Sequence, residues 1–327
     1  MMGKHLFKLV LILTGFLLSC SSSSDGNSRV TIGVAFETLQ TEGWVAGFEA
    51  IREEAAKKDI EIIEAIADGD ANRQLQQIKS FVVRQVDGII VAPKDAHTAI
   101  PMIREANRAD IPIVLYNRPA AESDVKYVAV VADNFELAKG TVEYMAGQAR
   151  KLGGQYKAMV LIGDLGDMNA VNRRDGFEAA VQQHRDLIEV VARVPTEWNQ
   201  EKALAGVTNA FQAHPDINFI FTCSDQMLAP IASVLKSLGK WKRIGEQGHV
   251  LLGAFDGDAT AYHMLVDGYL DADGVQDLYY ESAASVQAIL DLIEGKEVPP
   301  IIRDEGFIIH QDNLKEAGPR MWGSRFQ

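Results

Sequence analysis

Gly47-Phe48-Glu49-Ala50 recurs, 129 residues later, as Gly176-Phe177-Glu178-Ala179. The neighbourhood recurs with it. Ile60-Glu61-Ile62-Ile63 returns as Ile188-Glu189-Val190-Val191, 128 residues on. Asp87 precedes one apolar run as Asp216 precedes another, and Tyr116-Asn117 closes a run as Phe255-Asp256 does. Four matches in register indicate a duplicated unit and not a coincidence of generic amphipathic patterns.

Each copy alternates short apolar runs with segments of helical period. In the first copy, strands are expected at Val30–Ala35, Ile60–Ala65, Gly88–Ala92 and Ile113–Tyr116, with helices at about 43–58, 72–85 and 97–108. In the second they are expected at Ala158–Ile162, Leu187–Ala192, Phe219–Thr222 and Val250–Ala254, with helices at about 169–184, 199–213 and 225–238. Such alternation builds βαβ units around a parallel sheet. The fold class is therefore α/β, with two doubly wound parallel-sheet lobes. Ligands of such sheets sit beyond the carboxyl ends of the strands. The site candidates are thus Glu37 to Trp44, Asp68 to Asn72, Pro93 to Asp95 and Asn117-Arg118 from one copy. From the other come Asp164 to Arg173, Thr196 to Asn199, Ser224-Asp225 and Asp256.

The chemistry of these positions is consistent. Carboxylates and amide oxygens accept from hydroxyl groups, while guanidinium and amide nitrogens donate to them. An arginine fork can span two neighbouring oxygens, and Trp44 and Trp198 can cover the C–H face of a ring. A sugar or cyclitol fits this set. Each residue also has a plainer reading: Asn117, Arg118 and Asp256 as helix caps, Arg173-Arg174 as a solvated helix face, Trp44 as core.

The amino terminus bears on compartment. Lys4 and Lys8 accompany the apolar run 6–18, which ends in Leu17-Leu18-Ser19-Cys20. The run has the length of a signal-peptide core and is short for a membrane span. It resembles a bacterial lipoprotein signal, which implies lipidation of Cys20, removal of residues 1–19 and a Ser-rich tether over 20–28. Ser21 carries no inner-membrane retention signal. Residues 1–19 hold two of the 32 basic residues and none of the 45 acidic ones. The remaining chain is more acidic still, which argues against nucleic acid as partner. Cys223 is then the one remaining thiol, so neither a disulfide framework nor a cysteine zinc site is expected.

Several motifs in order carry a wider resemblance. They are Asp87-Gly88-Ile89-Ile90-Val91, Ile111-Pro112-Ile113-Val114, Val131-Ala132-Asp133-Asn134, Arg173-Arg174-Asp175-Gly176-Phe177, Ser224-Asp225-Gln226-Met227 and Phe255-Asp256-Gly257. From Arg29 to Asn313 the chain resembles the periplasmic ribose/galactose-type binding proteins, whose fold the effector domains of lactose-repressor-like regulators share. The resemblance implies ligand contacts by Asn117, Arg118, Arg173, Trp198, Asp256 and Gln276. Asn117 stands where an aspartate is usual, and Ser224 where an amide is usual. Glu37, Gln40, Thr41 and Trp44 replace the usual first-loop residues, while Asp167 and Asn169 lie within reach of further hydroxyls.

The resemblance also implies a three-segment hinge near Ala132, Gln276 and Asp304. It divides the chain into 29–132 plus 277–304 and 133–276 plus 305–327. The expected function is the substrate-binding protein of an ABC-type sugar importer, working as a monomer with a permease and an ATPase. The alternative is a receptor that shows its closed form to a chemoreceptor or sensor kinase. No enzyme motif is present, no cofactor is expected, and a DNA-binding headpiece is missing ahead of the first strand. Asp68, Asp70 and Asn72 alternate as calcium ligands do but lack the rest of such a loop. They are expected to form a turn and helix start.

Overall fold

The computed structural model describes residues 29–326. The expected signal, the tether and Cys20 lie outside the described residues. Twelve strands form two six-stranded sheets.

The first sheet contains β1 (Thr31–Phe36), β2 (Glu61–Ile66), β3 (Gly88–Ala92), β4 (Ile113–Tyr116), β5 (Val128–Ala132) and, far later in the chain, β11 (Ile301–Asp304). The second contains β6 (Tyr156–Ile162), β7 (Ile188–Pro195), β8 (Phe219–Thr222), β9 (Leu251–Asp256), β10 (Ala272–Val275) and β12 (Phe307–His310). Their orders are β2-β1-β3-β4-β5-β11 and β7-β6-β8-β9-β10-β12, so each strand of one sheet has a counterpart in the other. All pairings are parallel except that of β12 with β10. The duplicated fold class read from the sequence is what the chain adopts.

The helices are α1 (Glu42–Lys57), α2 (Ala71–Val83), α3 (Ala96–Arg108), α4 (Asn134–Leu152), α5 (Met168–Gln183), α6 (Gln200–Ala213), α7 (Leu228–Ser237), α8 (Ala259–Val266), α9 (Leu278–Ile293) and α10 (Leu314–Ala317). They cover both faces of each sheet, giving four apolar clusters. Expected bounds agree within three residues for most elements. The helix expected at 225–238 is a 3₁₀ turn over Asp225–Met227 followed by α7, because Ser224 caps the turn through Gln226 N. Strand β5, α4, α8 and β10 lie in stretches for which no element was drawn. Asp70 caps α2 by accepting from Asn72 N and Arg73 N, which gives the Asp68–Asn72 segment its turn and helix start.

The two recurring glycines have physical causes. A Cβ on Gly47 would stand 2.2 Å from Tyr116 Oη, and one on Gly176 would stand 2.4 Å from the Phe135 carbonyl oxygen. Helices α1 and α5 therefore approach their neighbours only through glycine.

The chain passes between the sheets three times. It leaves β5 at Ala132 for α4, which packs on β9 and β10. It returns between β10 and α9, which packs on β3, β4 and β5, and passes again from β11 to β12. Asp304 ties the three passages together. Its carbonyl accepts from Asp133 N at 2.8 Å. Its carboxylate accepts from Asp277 N at 2.6 Å and Gly306 N at 2.8 Å.

Candidate functional site

The strand ends of the two sheets face each other across a cleft of about 480 Å³. All twelve residues singled out from the sequence line it: Glu37, Gln40, Trp44, Asn117, Arg118, Asp167, Asn169, Arg173, Trp198, Ser224, Asp256 and Gln276. Topology explains the convergence. The loops after β1, β4, β6, β7, β8, β9 and β10 all open toward the same gap.

The two principal arginines are differently held. Arg118 is flanked by carboxylates from both lobes, with Glu37 Oε1 3.1 Å from its Nη1 and Asp167 Oδ2 2.7 Å from its Nε. The second contact is a charge pair whose N–H is not aimed at the oxygen. Nη1 also donates to the Lys94 carbonyl at 3.0 Å, and the guanidinium lies 4.8 Å from the Trp44 ring centre. Arg173 is buried on α5. It donates through Nη1 to Asp256 Oδ1 at 2.6 Å and to the Cys223 carbonyl at 2.8 Å, and through Nε to Asn134 Oδ1 at 2.6 Å. The Phe255 ring stacks below it at 3.7 Å.

Six side chains close a ring of hydrogen bonds on the cleft floor. Arg173 donates to Asn134, Asn134 to Asn169 Oδ1, and Asn169 to Asn117 Oδ1. Asn117 then donates to Gln276 Oε1, Gln276 donates to Asp256 Oδ1, and Asp256 accepts from Arg173. The ring spans both lobes and two of the three passages. Asn117 also donates to Glu281 Oε2 at 2.9 Å. Ser224, short as it is, reaches Asp256 Oδ2 at 2.6 Å. Arg118, Asn117 and Asp256 are not the caps of the following helices; Asp133 and Asp258 fill that role for α4 and α8.

Burial governs the titration of the acids beneath the floor. It pushes Asp225 well above the usual carboxylate range, with the Asp273 charge adding to the effect. Asp273 is raised in the same way, by burial and then by the Asp256 charge. Glu281 is raised by burial and the Asp304 charge, against the Asn117 hydrogen bond. Asp258 rises to about 7, again through burial. The buried thiol of Cys223 is pushed up to about 12.

Strain marks the same region. Asn117 (φ 64°), Glu197 (φ 50°), Trp198 (φ 58°) and Asp256 (φ 140°) hold backbone angles that L residues rarely adopt. Such conformations persist where the surroundings over-determine them. At Trp198 the outcome is an indole seated over Gly163, where a Cβ would lie 2.2 Å from the ring.

Residues 32–297 match the periplasmic binding protein domain family. The chain belongs to this family. As a periplasmic binding protein it is similar to the ribose import binding protein of Bacillus subtilis, 27% identical over 91% of this chain and 96% of that one. A solute-binding protein from Bacillus halodurans, solved with bound myo-inositol, is 25% identical, with a TM-score of 0.79 over 90% of this chain and 99% of that one. One from Actinobacillus succinogenes, solved with bound D-allose, shares the fold at a TM-score of 0.81 and 24% identity, over 88% and 99% of the two chains.

Sequence reasoning missed four contributors to this binding protein's cleft and its floor: Asn134, Glu281, Asp225 and Trp322. Asn134 stands inside a quoted motif, two residues past Ala132, which marked one of the hinge segments. Asp225 lay among the strand-end candidates but was not carried into the final set. Glu281 and Trp322 had no local signal, because their place depends on chain that returns from far along the sequence.

Proposed function

We propose that this binding protein is the substrate-binding component of an ABC-type sugar importer and that its cleft takes a monosaccharide or similar polyol. The observation that carries the reading is the pair of arginines facing the cleft from opposite lobes, Arg118 held by two carboxylates and Arg173 by one, both beside aromatic rings. Relatives named for ribose import, and a neighbour holding myo-inositol, support the same class of ligand. The relatives are import proteins, which favours transport over presentation to a chemoreceptor or sensor kinase.

Division of labour among residues follows. Arg118, Glu37, Gln40 and Trp44 act from the first lobe, and Asp167, Arg173, Trp198, Ser224 and Asp256 from the second. Asn117, Asn169 and Gln276 hold the floor. The lobes are 29–132 plus 277–304 and 133–276 plus 305–327, and they close about the passages gathered at Asp304. Closure is driven by the ligand's greater affinity for the closed form. The protein catalyses no reaction, acts as a monomer, and is held at the outer face of a membrane by lipid on Cys20 beside its permease and ATPase.

A thermal-shift screen with D-ribose, D-allose and myo-inositol tests the reading. A ligand bound by the native state alone raises the midpoint. A rise of several degrees with at least one of them is expected. No response to any of the three, nor to a wider set of pentoses, hexoses and polyols, overturns it.

A further inference from the structure

Beyond β12 the chain does not end at the lobe surface. It runs through α10 and two 3₁₀ turns, Gly318–Arg320 and Trp322–Arg325, back to the cleft. Trp322 is only 2% exposed and belongs to a cluster that joins second-lobe residues to Ala46 of α1 and Leu278 of α9. Its indole therefore sits where the apolar core crosses between lobes. Its Nε1 donates to the carbonyl of Asp256 at 2.8 Å.

The strap also grips the residues that follow. Gly323 N donates to the Gly257 carbonyl at 2.9 Å. A Cβ on Gly323 would stand 2.1 Å from the Asp258 carbonyl carbon, so the strap lies directly on that backbone. From the other side, Asp225 Oδ2 accepts from Gly257 N at 2.7 Å and Asp258 N at 2.9 Å. Asp256, at φ 140°, needs such restraint, since few surroundings hold an L residue there. Its carboxylate is the partner of Arg173, Ser224 and Gln276.

We infer that the carboxyl-terminal strap is part of the ligand site, with Trp322 as the positioning residue that fixes the backbone of Asp256 and thereby aims its carboxylate. The inference rests on the proposed reading of the cleft. Because the indole shares one apolar cluster with Ala46 of α1 and Leu278 of α9, it also couples the strap to lobe closure.

The test uses the full chain and Trp322→Phe, which keeps a ring and removes the N–H. Affinity is measured by calorimetry with whichever of D-ribose, D-allose or myo-inositol gives the largest thermal shift. It should weaken about tenfold, the equivalent of one lost hydrogen bond, while the ligand-free protein still unfolds cooperatively. In that ligand-free protein the carboxyl ¹³C resonance of Asp256 should be displaced from its wild-type position. A variant that loses only thermal stability, with affinity and the Asp256 resonance unchanged, makes Trp322 a core plug and overturns the inference. If wild type binds none of the three, nor any of the wider set of pentoses, hexoses and polyols, the functional reading fails, and the Asp256 resonance alone decides the role of the strap.

Discussion

Tyr116-Asn117 and Phe255-Asp256 occupy the same place in the two halves, at the ends of β4 and β9, and both polar residues have positive φ. A positive φ has been kept, 64° at Asn117 and 140° at Asp256, and the charge has not. In the first lobe the strand end is a neutral amide, and the positive charge stands one residue on, at Arg118. In the second the strand end is a carboxylate, and its arginine comes from a different element, α5. A duplicated frame thus yields two unlike jaws. Asn117 is the link, since its amide donates to both Gln276 and Glu281, where a carboxylate would have no N–H to offer either.

The largest expected effect comes from the second jaw. Asp256→Ala leaves Arg173, whose side chain is 4% exposed, without its counter-charge. Truncating one partner of a buried, hydrogen-bonded charge pair at a binding site costs about 3 kcal/mol, roughly 100-fold in affinity. Calorimetry with the sugar selected by thermal shift measures it, and an unchanged Kd would remove Asp256 from the site.

The paired glycines come next. Gly176→Ala meets backbone, which cannot yield, whereas Gly47→Ala meets the Tyr116 hydroxyl. Overpacking costs about 1–3 kcal/mol, and urea unfolding should place Gly176→Ala at the upper end and Gly47→Ala below it. The reverse order would mean that α1, not α5, is the more tightly held helix.

Arg118→Lys keeps the charge but loses the fork and the stacking on Trp44. A loss of about tenfold in affinity is expected, smaller than for Asp256→Ala because Arg118 has two carboxylate neighbours and two carbonyl acceptors. Equal losses at the two jaws would contradict the asymmetry.

The smallest and broadest effect is on pH. Asp225, Asp273, Glu281 and Asp304 have carboxyls raised by burial, and Asp258 stands at about 7. The native state therefore holds protons that the unfolded chain has released, and stability falls as pH rises from the ordinary carboxylate range through the folded values. His249 adds to the same slope. Burial opposes its charge, but the hydrogen bond and charge of Asp271 prevail and raise it. Urea midpoints should be higher at pH 5 than at pH 8, and Asp273→Asn should flatten the slope.

Much of this was legible beforehand. Periodicity and the recurring tetrapeptide disclosed four strands of each sheet, because β1–β4 and β6–β9 follow one another along the chain. Eleven of the twelve cleft residues named beforehand stand at strand ends, which in a doubly wound fold face the crevice, and Gln276 was implied by the family resemblance alone. What escaped depends on distant chain. Strand β10 is short and carries Asp273, a poor strand signal, and it is a strand only because β9 and β12 pair with it. The ring from Arg173 to Asn117 needs Asn134 from a passage between lobes, whose orientation no local pattern specifies. Ser224, standing where an amide is usual, bonds Asp256 directly.

The central claim is that two unlike jaws close on one ligand. Backbone hydrogen exchange, followed with and without the sugar selected by thermal shift, tests it most directly. The account predicts added protection at Asn117-Arg118 and at Asp256-Gly257 together. Protection confined to one lobe, or none at either strand end despite binding, would contradict it.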